Sequence, residues 1–426
     1  MTGPTGIYSV MNASSGAPPA EPRDSSAAGV AFVMELGAAL HRFGTPADRL
    51  EATMGAVARQ LSLEAQILST PTSVMAGFGP LAQQQTFLVR VEPGEVNLEK
   101  LADLDRVAGE VGRGELAVPD GVGQVRDISA RPARYPDALA VLAFALLSAG
   151  VAVFFAGGWY EIAVSGAIGL VIGFLSLAFR RSVAGSRVFE LVAAFAAAAM
   201  AHGAVAAGMP VSPRIALLAG LIALLPGLTL TLAITELATR NLVSGTARLT
   251  AAATVFLEIT FGVALGEMVM TRLVGGAAGA AAAAAPLPAW AEPCALAVVV
   301  PAIMVGFAAH PRQLAAIAVA CAAAFYSARL GTGLLTPELG AALGGFALAA
   351  GSNAYARLAD RPAMVPLVPG LLLLVPGSMG LRSLSSLLQR DVVSGIDTAF
   401  AMMLVAVALV AGLLMANASI RPHRDL

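Results

Sequence analysis

The strongest constraint on this chain is a segment that occurs twice. PGLTLTLAITELATRNLVSG runs from Pro226 to Gly245, and PGSMGLRSLSSLLQRDVVSG runs from Pro376 to Gly395. Aligned without a gap, the two copies share Pro, Gly, Leu, Arg, Val, Ser and Gly at the same offsets. Each copy sets a Pro-Gly pair inside an apolar run and a lone Arg about a helix length later. A proline there removes a backbone donor and clashes with the preceding turn, so the helix breaks. Freed backbone groups are tolerated at membrane depth only where protein or a polar cavity satisfies them. Interrupted apolar segments at matching places in two halves of a chain point to the binding site of a transporter.

Composition agrees with a membrane setting. The 426 residues are 57% hydrophobic and 12% charged, with a mean hydropathy of +0.78, which places the chain among polytopic membrane proteins. A net charge of −1 argues against a nucleic-acid partner. Cys294 and Cys321 both lie in apolar stretches and read as small core residues, so neither a disulfide framework nor a metal site is implied. No GxSxG, HExxH, Walker A loop or Cys/His cluster is present, so neither an enzyme nor a cofactor is expected.

The charged residues concentrate before residue 136, and this divides the chain. Residues 1–28, rich in Ser, Ala, Pro and Gly, read as a disordered tail without a signal peptide. Residues 29–135 read as a small soluble α/β head. Val33, Leu36 and Leu40 have helical spacing up to Gly44, and Thr45-Pro46 starts a second helix with Thr45 as its cap. AQILS, SVMAGFG and TFLVRV read as strands, with a turn at Thr70-Pro71-Thr72, and VNLEKLADLDRVAGEV reads as an amphipathic helix.

A span needs about 20 apolar residues. Such blocks lie near 138–157, 160–179, 188–208, 212–234 and 249–270, and again near 292–309, 312–328, 334–354, 363–385 and 398–418. The expected architecture is therefore a polytopic α-helical membrane protein of about ten spans. Its parts are a five-helix repeat over 136–272, an Ala/Gly-rich connector over 273–291 ending near Trp290, a second five-helix repeat over 292–418, and a short tail over 419–426. Five spans per half is an odd number, so the two copies point in opposite directions across the membrane as an inverted repeat. With the head inside, the inner loops carry Arg180, Arg181, Arg187, Arg240, Arg248, Arg312, Arg357, Arg361, Arg421 and Arg424. The outer loops carry only Arg214, Arg272, Arg329, Arg382 and Arg390. That asymmetry puts both termini in the cytoplasm and the chain in the cell membrane.

Candidate site residues cluster around the doubled motif. A half-helix beginning after each break would aim its positive dipole end at a carboxylate. Pro226, Gly227, Thr229 and Thr231 in the first copy, and Pro376, Gly377 and Ser378 in the second, are the candidate substrate-binding residues. Glu236 and Arg240 are four apart and could pair on one helix face. Arg390 recurs in register with Arg240, followed by Asp391 where the first copy has Asn241. Glu258 falls near the middle of an expected span, where an ionised carboxylate is costly, as a proton carrier would require. His202 and Asn353 sit near the ends of matching spans, and His202 could titrate near neutral pH. In the head, His41, Asp48 and Glu51 could form the site of a membrane-anchored enzyme, and the head could instead bind a partner while the spans anchor it.

With these residues in place, the chain resembles the threonine/serine exporter family (ThrE type). The resemblance rests on ELGAALHRFGTPADRLEATMGAVARQLSLEAQILSTPTSVMAGFG in the head and on LLPGLTLTLAITELATRNLVSGTARL in the first repeat. It extends to a second half similar to the family's smaller C-terminal module, which some bacteria encode separately, and so covers most of 30–418. The acid after the first Pro-Gly is commonly Asp in the family, and Glu236 stands there in this chain. The resemblance implies export of L-threonine and L-serine, driven by protons, by a protein in contact with the lipid bilayer that could assemble as a homo-oligomer. Glu236 and Glu258 would divide the roles of ammonium acceptor and proton carrier. Related split systems move dicarboxylates, for which Arg382 or Arg390 could serve a second carboxylate.

Overall fold

In the computed structural model, residues 8–9, 24–92, 94–180, 182–274, 287–388 and 390–420 are described. Residues 275–286 of the connector, Arg181, Arg421 and Arg424, and 1–7 and 10–23 of the expected tail lie outside them.

The head begins with β1 (Tyr8–Ser9), α1 (Asp24–Arg42) and α2 (Ala47–Gln60). It continues with β2 (Ala65–Thr70), β3 (Ser73–Phe78), β4 (Gln85–Arg90), α3 (Leu98–Gly112) and α4 (Val118–Ala130). The strands form an antiparallel sheet in the order β1-β4-β3-β2, and the Pro71-Thr72 turn sets the β2–β3 register at Thr70 opposite Ser73. Alternation along β3 puts Val74, Ala76 and Phe78 in the core, beneath Phe32, Leu36 and Leu40 of α1. Two sequence expectations need correction. First, α1 starts at Asp24, inside the expected tail, because the Gly29 turn of the helix packs on Leu63 and Leu61. Second, α2 starts at Ala47, one residue later than expected, and Thr45 does not cap it: the Thr45 hydroxyl is buried without a partner.

The membrane portion comprises two sets of helices. The first holds α5 (Asp137–Phe154), α6 (Trp159–Phe179), a single turn α7 (Val183–Ser186), α8 (Phe189–Ala206), α9 (Pro213–Gly220), α10 (Gly227–Ala238) and α11 (Leu242–Val274). The second holds α12 (Ala291–Gly306), α13 (Leu314–Leu334), α14 (Pro337–Ala359), α15 (Met364–Leu374), α16 (Gly377–Leu388) and α17 (Val392–Ser419). Seven helical stretches among the described residues are long and apolar enough to cross a membrane, and α10 and α12 are apolar but shorter. The other expected spans, 212–234, 292–309 and 334–354, fall on the α9–α10 pair, on α12 and on α14.

Neighbour relations recur between the sets. α8 packs along α11 as α14 does along α17, and α10 lies on α11 as α16 lies on α17. α10 also touches α17, α16 touches α11, and α10 and α16 meet each other. Glycines let α8 and α11 approach closely. Gly262 lies against the Leu191 carbonyl and Gly266 against the Phe195 carbonyl, so the two helices advance in step.

The core of the head does not close on itself. It runs on into Leu296, Val300 and Met304 of α12, Ile317 and Cys321 of α13, and Met364, Val365 and Val368 of α15. Polar contacts follow the same seam: Leu98 N–H donates to the Phe307 carbonyl at 2.9 Å, and the Tyr135 hydroxyl to the Ala309 carbonyl at 2.7 Å. The α/β head is thus a cap seated on the helices by a shared apolar core.

Candidate functional site

Both Pro-Gly pairs break their helices as the sequence implies. α9 ends at Gly220, an irregular stretch follows to Pro226, and α10 starts at Gly227. α15 ends at Leu374, and α16 starts at Gly377 after an extended Val375. The two breaks lie against each other. A Cβ on Gly227 would sit 2.7 Å from Val375 Cγ2 and 3.2 Å from Gly377 Cα, and a Cβ on Gly377 would sit 3.1 Å from Leu225 Cβ. Only glycine allows this approach, which brings two helix N-termini, each with its partial positive charge, to one place. α15 leads to this crossing from the head, where Met364 and Val365 are buried, and α10 leads back from it toward the head.

The hydroxyls near the crossing divide into two kinds. Thr231 is fully buried and donates to the Gly227 carbonyl at 3.1 Å, and Thr235 donates to the Thr231 carbonyl at 2.9 Å, so both are bonded back to their own helix. Ser383 donates to the Gly395 carbonyl at 2.6 Å, which ties α16 to α17. Thr229 and Ser378 are half-buried and within two residues of the breaks. Neither makes a side-chain hydrogen bond among the described residues.

Glu236 lies at the other end of α10, fully buried. Its expected partner Arg240 is not the one it takes. Oε1 accepts from Arg248 Nε at 3.0 Å and from the Ala47 backbone N–H at 3.1 Å, while Oε2 has no partner. The carboxylate therefore caps the N-terminus of α2, where a side-chain oxygen normally comes from within the helix's own sequence. Ser244 of α11 adds a bond to the Ser69 carbonyl at 3.1 Å. Arg240 and Arg390 do something else. Both have left-handed backbones (φ 68° and 63°) just past α10 and α16. In both copies the next N–H closes the helix end, from Asn241 to the Glu236 carbonyl at 2.8 Å and from Asp391 to the Ser386 carbonyl at 3.0 Å. Asp391 then caps α17 through the Ser394 N–H. The following Ser-Gly seats Gly245 on Leu237 and Gly395 on Leu387, so the shared Leu, Arg and Gly of the motif build the same helix corner twice.

Glu258 lies on α11, two residues beyond Phe256, whose ring packs at Gly380 of α16. α11 begins at Leu242 rather than near 249, and the Gly262–Leu191 and Gly266–Phe195 contacts set its register on α8. One turn earlier, Glu258, at the middle of α11, comes level with Glu190 in the first turn of α8. The two carboxylates are close enough to repel. Sequence reading missed Glu190, though its place opposite a span acid follows once the helix pairing is known. His202 is bonded to the Ala198 carbonyl at 2.9 Å, and Asn353 bridges Asn417 and the Ile420 carbonyl. In the head, Glu51 accepts from the Ser69 N–H and hydroxyl, and His41 donates to the Thr70 carbonyl at 2.7 Å. These bonds hold α1 and α2 to β2, which is a structural use of the residues an enzyme reading would need. No group of metal-ligating residues occurs among the described residues.

These features define a multi-pass helical membrane protein with a doubled, interrupted helix pair at its centre. The chain belongs to the threonine/serine exporter family, with both family modules in one polypeptide. Residues 31–270 match the family described as "Putative threonine/serine exporter", and residues 293–419 match "Threonine/Serine exporter, ThrE". Among curated proteins it is similar to "Pheromone-regulated membrane protein 10" of several yeasts. The protein of Candida albicans (strain WO-1) is 33% identical over 242 residues, covering 55% of this chain and 22% of the relative. That of Eremothecium gossypii is 28% identical over 376 residues, covering 84% and 49%. That of Saccharomyces cerevisiae (strain YJM789) is 27% identical over 379 residues, covering 84% and 47%. The chain thus spans less than half the length of these relatives. No solved structure matches it.

Proposed function

We propose that this chain exports L-threonine and L-serine across the cell membrane by alternating access, with the proton gradient as the driving force. The observation that carries the reading is the contact between the two Pro-Gly breaks, where Gly227 and Gly377 bring two helix N-termini together. A small zwitterion needs a positive helix end for its carboxylate, an acceptor for its ammonium and groups that match its hydroxyl. Pro226, Gly227, Pro376 and Gly377 form the first, and the hydroxyls of Thr229 and Ser378 match the last. Glu236, with Oε2 unpartnered, is the ammonium acceptor on the head side. Glu258, a carboxylate at the middle of α11, is the candidate proton carrier. The recurring helix contacts support two inverted five-helix repeats, 136–272 and 292–418, with the head and both termini in the cytoplasm.

The test is efflux from cells preloaded with a threonine-containing dipeptide, in a host lacking its own exporters. Wild type is expected to export faster than the empty host, Pro226→Ala to export poorly, and Glu258→Gln to lose its response when the proton gradient is collapsed. Export no faster than the empty host would sink the assignment.

A further inference from the structure

A guanidinium without a counter-ion lies beyond the crossing. Arg382 follows Gly377 along α16, and at 1.5 Å per residue its Cα is about 7.5 Å further along the axis. α5 starts beside the head, where Asp137 pairs with Arg180, and ends near Phe155 on the opposite side. The Arg382 guanidinium sits 5.6 Å from the centroid of the Phe155 ring, so it occupies that far side and faces the interior of the bundle. Its neighbour Leu381 is buried among Val211, Leu225 and Phe256. The Arg382 Nε is buried and has no acceptor.

Apart from the Phe155 ring face, the nearby charge is positive. Arg214, at the start of α9, is near enough to repel it, and the N-terminal end of α16 carries partial positive charge. Two far-side acids are already engaged: Glu161 accepts from the Gly158 and Ser212 N–H groups, and Glu292 pairs with Arg329. Among the described residues no carboxylate meets Arg382. The same offset in the head-side copy holds Leu232, so the charge belongs to one half only. A cation kept inside a membrane bundle without a protein carboxylate marks a ligand path.

We propose that Arg382 binds the carboxylate of the transported amino acid in the far-side half of the path, as the molecule leaves the Pro-Gly crossing. The inference rests on the transport reading above. A guanidinium suits the task because its planar fork grips both oxygens of a carboxylate, which an ammonium does not.

The full chain is reconstituted in proteoliposomes, and counterflow of labelled L-threonine is measured with substrate added on the far side. Wild type is expected to be inhibited by L-serine and not by L-threoninamide, which lacks the carboxylate. Arg382→Gln is expected to raise the half-saturating concentration about 10- to 100-fold with a smaller change in maximal rate. Arg382→Lys should fall between the two. Half-saturation of Arg382→Gln within about twofold of wild type overturns the proposal, as does inhibition by threoninamide equal to that by threonine. If Arg382→Gln does not fold, Arg382→Lys and the competitor comparison decide. If wild type exchanges succinate and not threonine, the amino-acid assignment fails. Weakened succinate binding in Arg382→Gln would then still support the carboxylate role, and unchanged binding would end it.

Discussion

Removing the Glu236 carboxylate should loosen the head before it affects anything else. Glu236 is fully buried, and one of its oxygens serves both the first N–H of α2 and the Arg248 Nε. Loss of a helix N-cap costs about 1 kcal/mol. Stranding a buried cation costs about 3–5 kcal/mol, but the Arg248 side chain is 22% exposed and water recovers part of that. Glu236→Ala should therefore destabilise the joint by about 2–4 kcal/mol. Glu236→Gln, which keeps an acceptor and loses the charge, should cost about 1–2 kcal/mol. The readout is amide exchange of Ala47 to Leu50, since local opening of α2 reports on its cap without requiring the whole protein to unfold. At tenfold per 1.4 kcal/mol, Glu236→Ala should speed exchange by about 30- to 700-fold and Glu236→Gln by about 5- to 30-fold. Exchange unchanged in Glu236→Ala, with the protein folded, would refute the capping role and leave the short Ala47 contact without consequence.

Two further outcomes follow from the geometry. Gly227→Ala should be more damaging than Gly377→Ala, because its Cβ would lie 2.7 Å from Val375 against 3.1 Å from Leu225 at the other position. Overpacking of this kind costs about 1–3 kcal/mol, read as melting in detergent together with efflux, and equal tolerance at both sites would contradict the contact. Burial holds the His41 pKa below its ordinary value of 6.5, with repulsion from Arg248 helping and the Thr70 carbonyl opposing. The unfolded head then binds a proton more readily than the folded one. The stability from neutral His41 is present above pH 6.5 and is lost as pH falls through the lowered value. Exchange at the α1 end and in β2, corrected for intrinsic rate, should rise between pH 7.5 and pH 5.5 in wild type, and the rise should vanish in His41→Gln. A rise that persists in His41→Gln would assign it elsewhere.

Much of this arrangement was legible in the sequence because its signals are local. Apolar length marked the spans, Pro-Gly marked both breaks, and alternation marked β2 to β4. What the sequence could not supply were contacts between distant segments. Glu236 and Arg240 have ideal helical spacing, yet Arg240 closes the end of α10 in a left-handed conformation and cannot turn back. Arg248, from the next helix, takes its place. Glu258 is central in α11, as the apolar run around it implies, but its neighbour Glu190 on another helix is not legible from that run. α11 starts earlier, at Leu242, and its register on α8 follows from the Gly262 and Gly266 contacts rather than from hydropathy. Thr45 had the composition of a cap, but the cap of α2 comes from a residue 189 positions away.

The inequality of the two motif copies has a physical reason in that same contact. The parts they share (the Pro-Gly break, the Leu on which the Ser-Gly packs, the Arg in the left-handed position) are those needed to start, close and dock a half-helix on either side. The parts that differ are those that meet different surroundings. α10 ends against the head, and at the tenth position after its proline stands Glu236, which caps a head helix. α16 ends on the side opposite the head, and Ser386 occupies the same offset, where no side-chain cap is made among the described residues. Conversely, the far-side copy carries Arg382 where the head-side copy has Leu232. In the transport reading proposed above, an acid toward the head and a base away from it, on either side of one crossing, would present opposite ends of a zwitterion with their complements in sequence along a single path. On that reading, duplication supplies the scaffold for the path, and divergence at these two offsets would give it a direction.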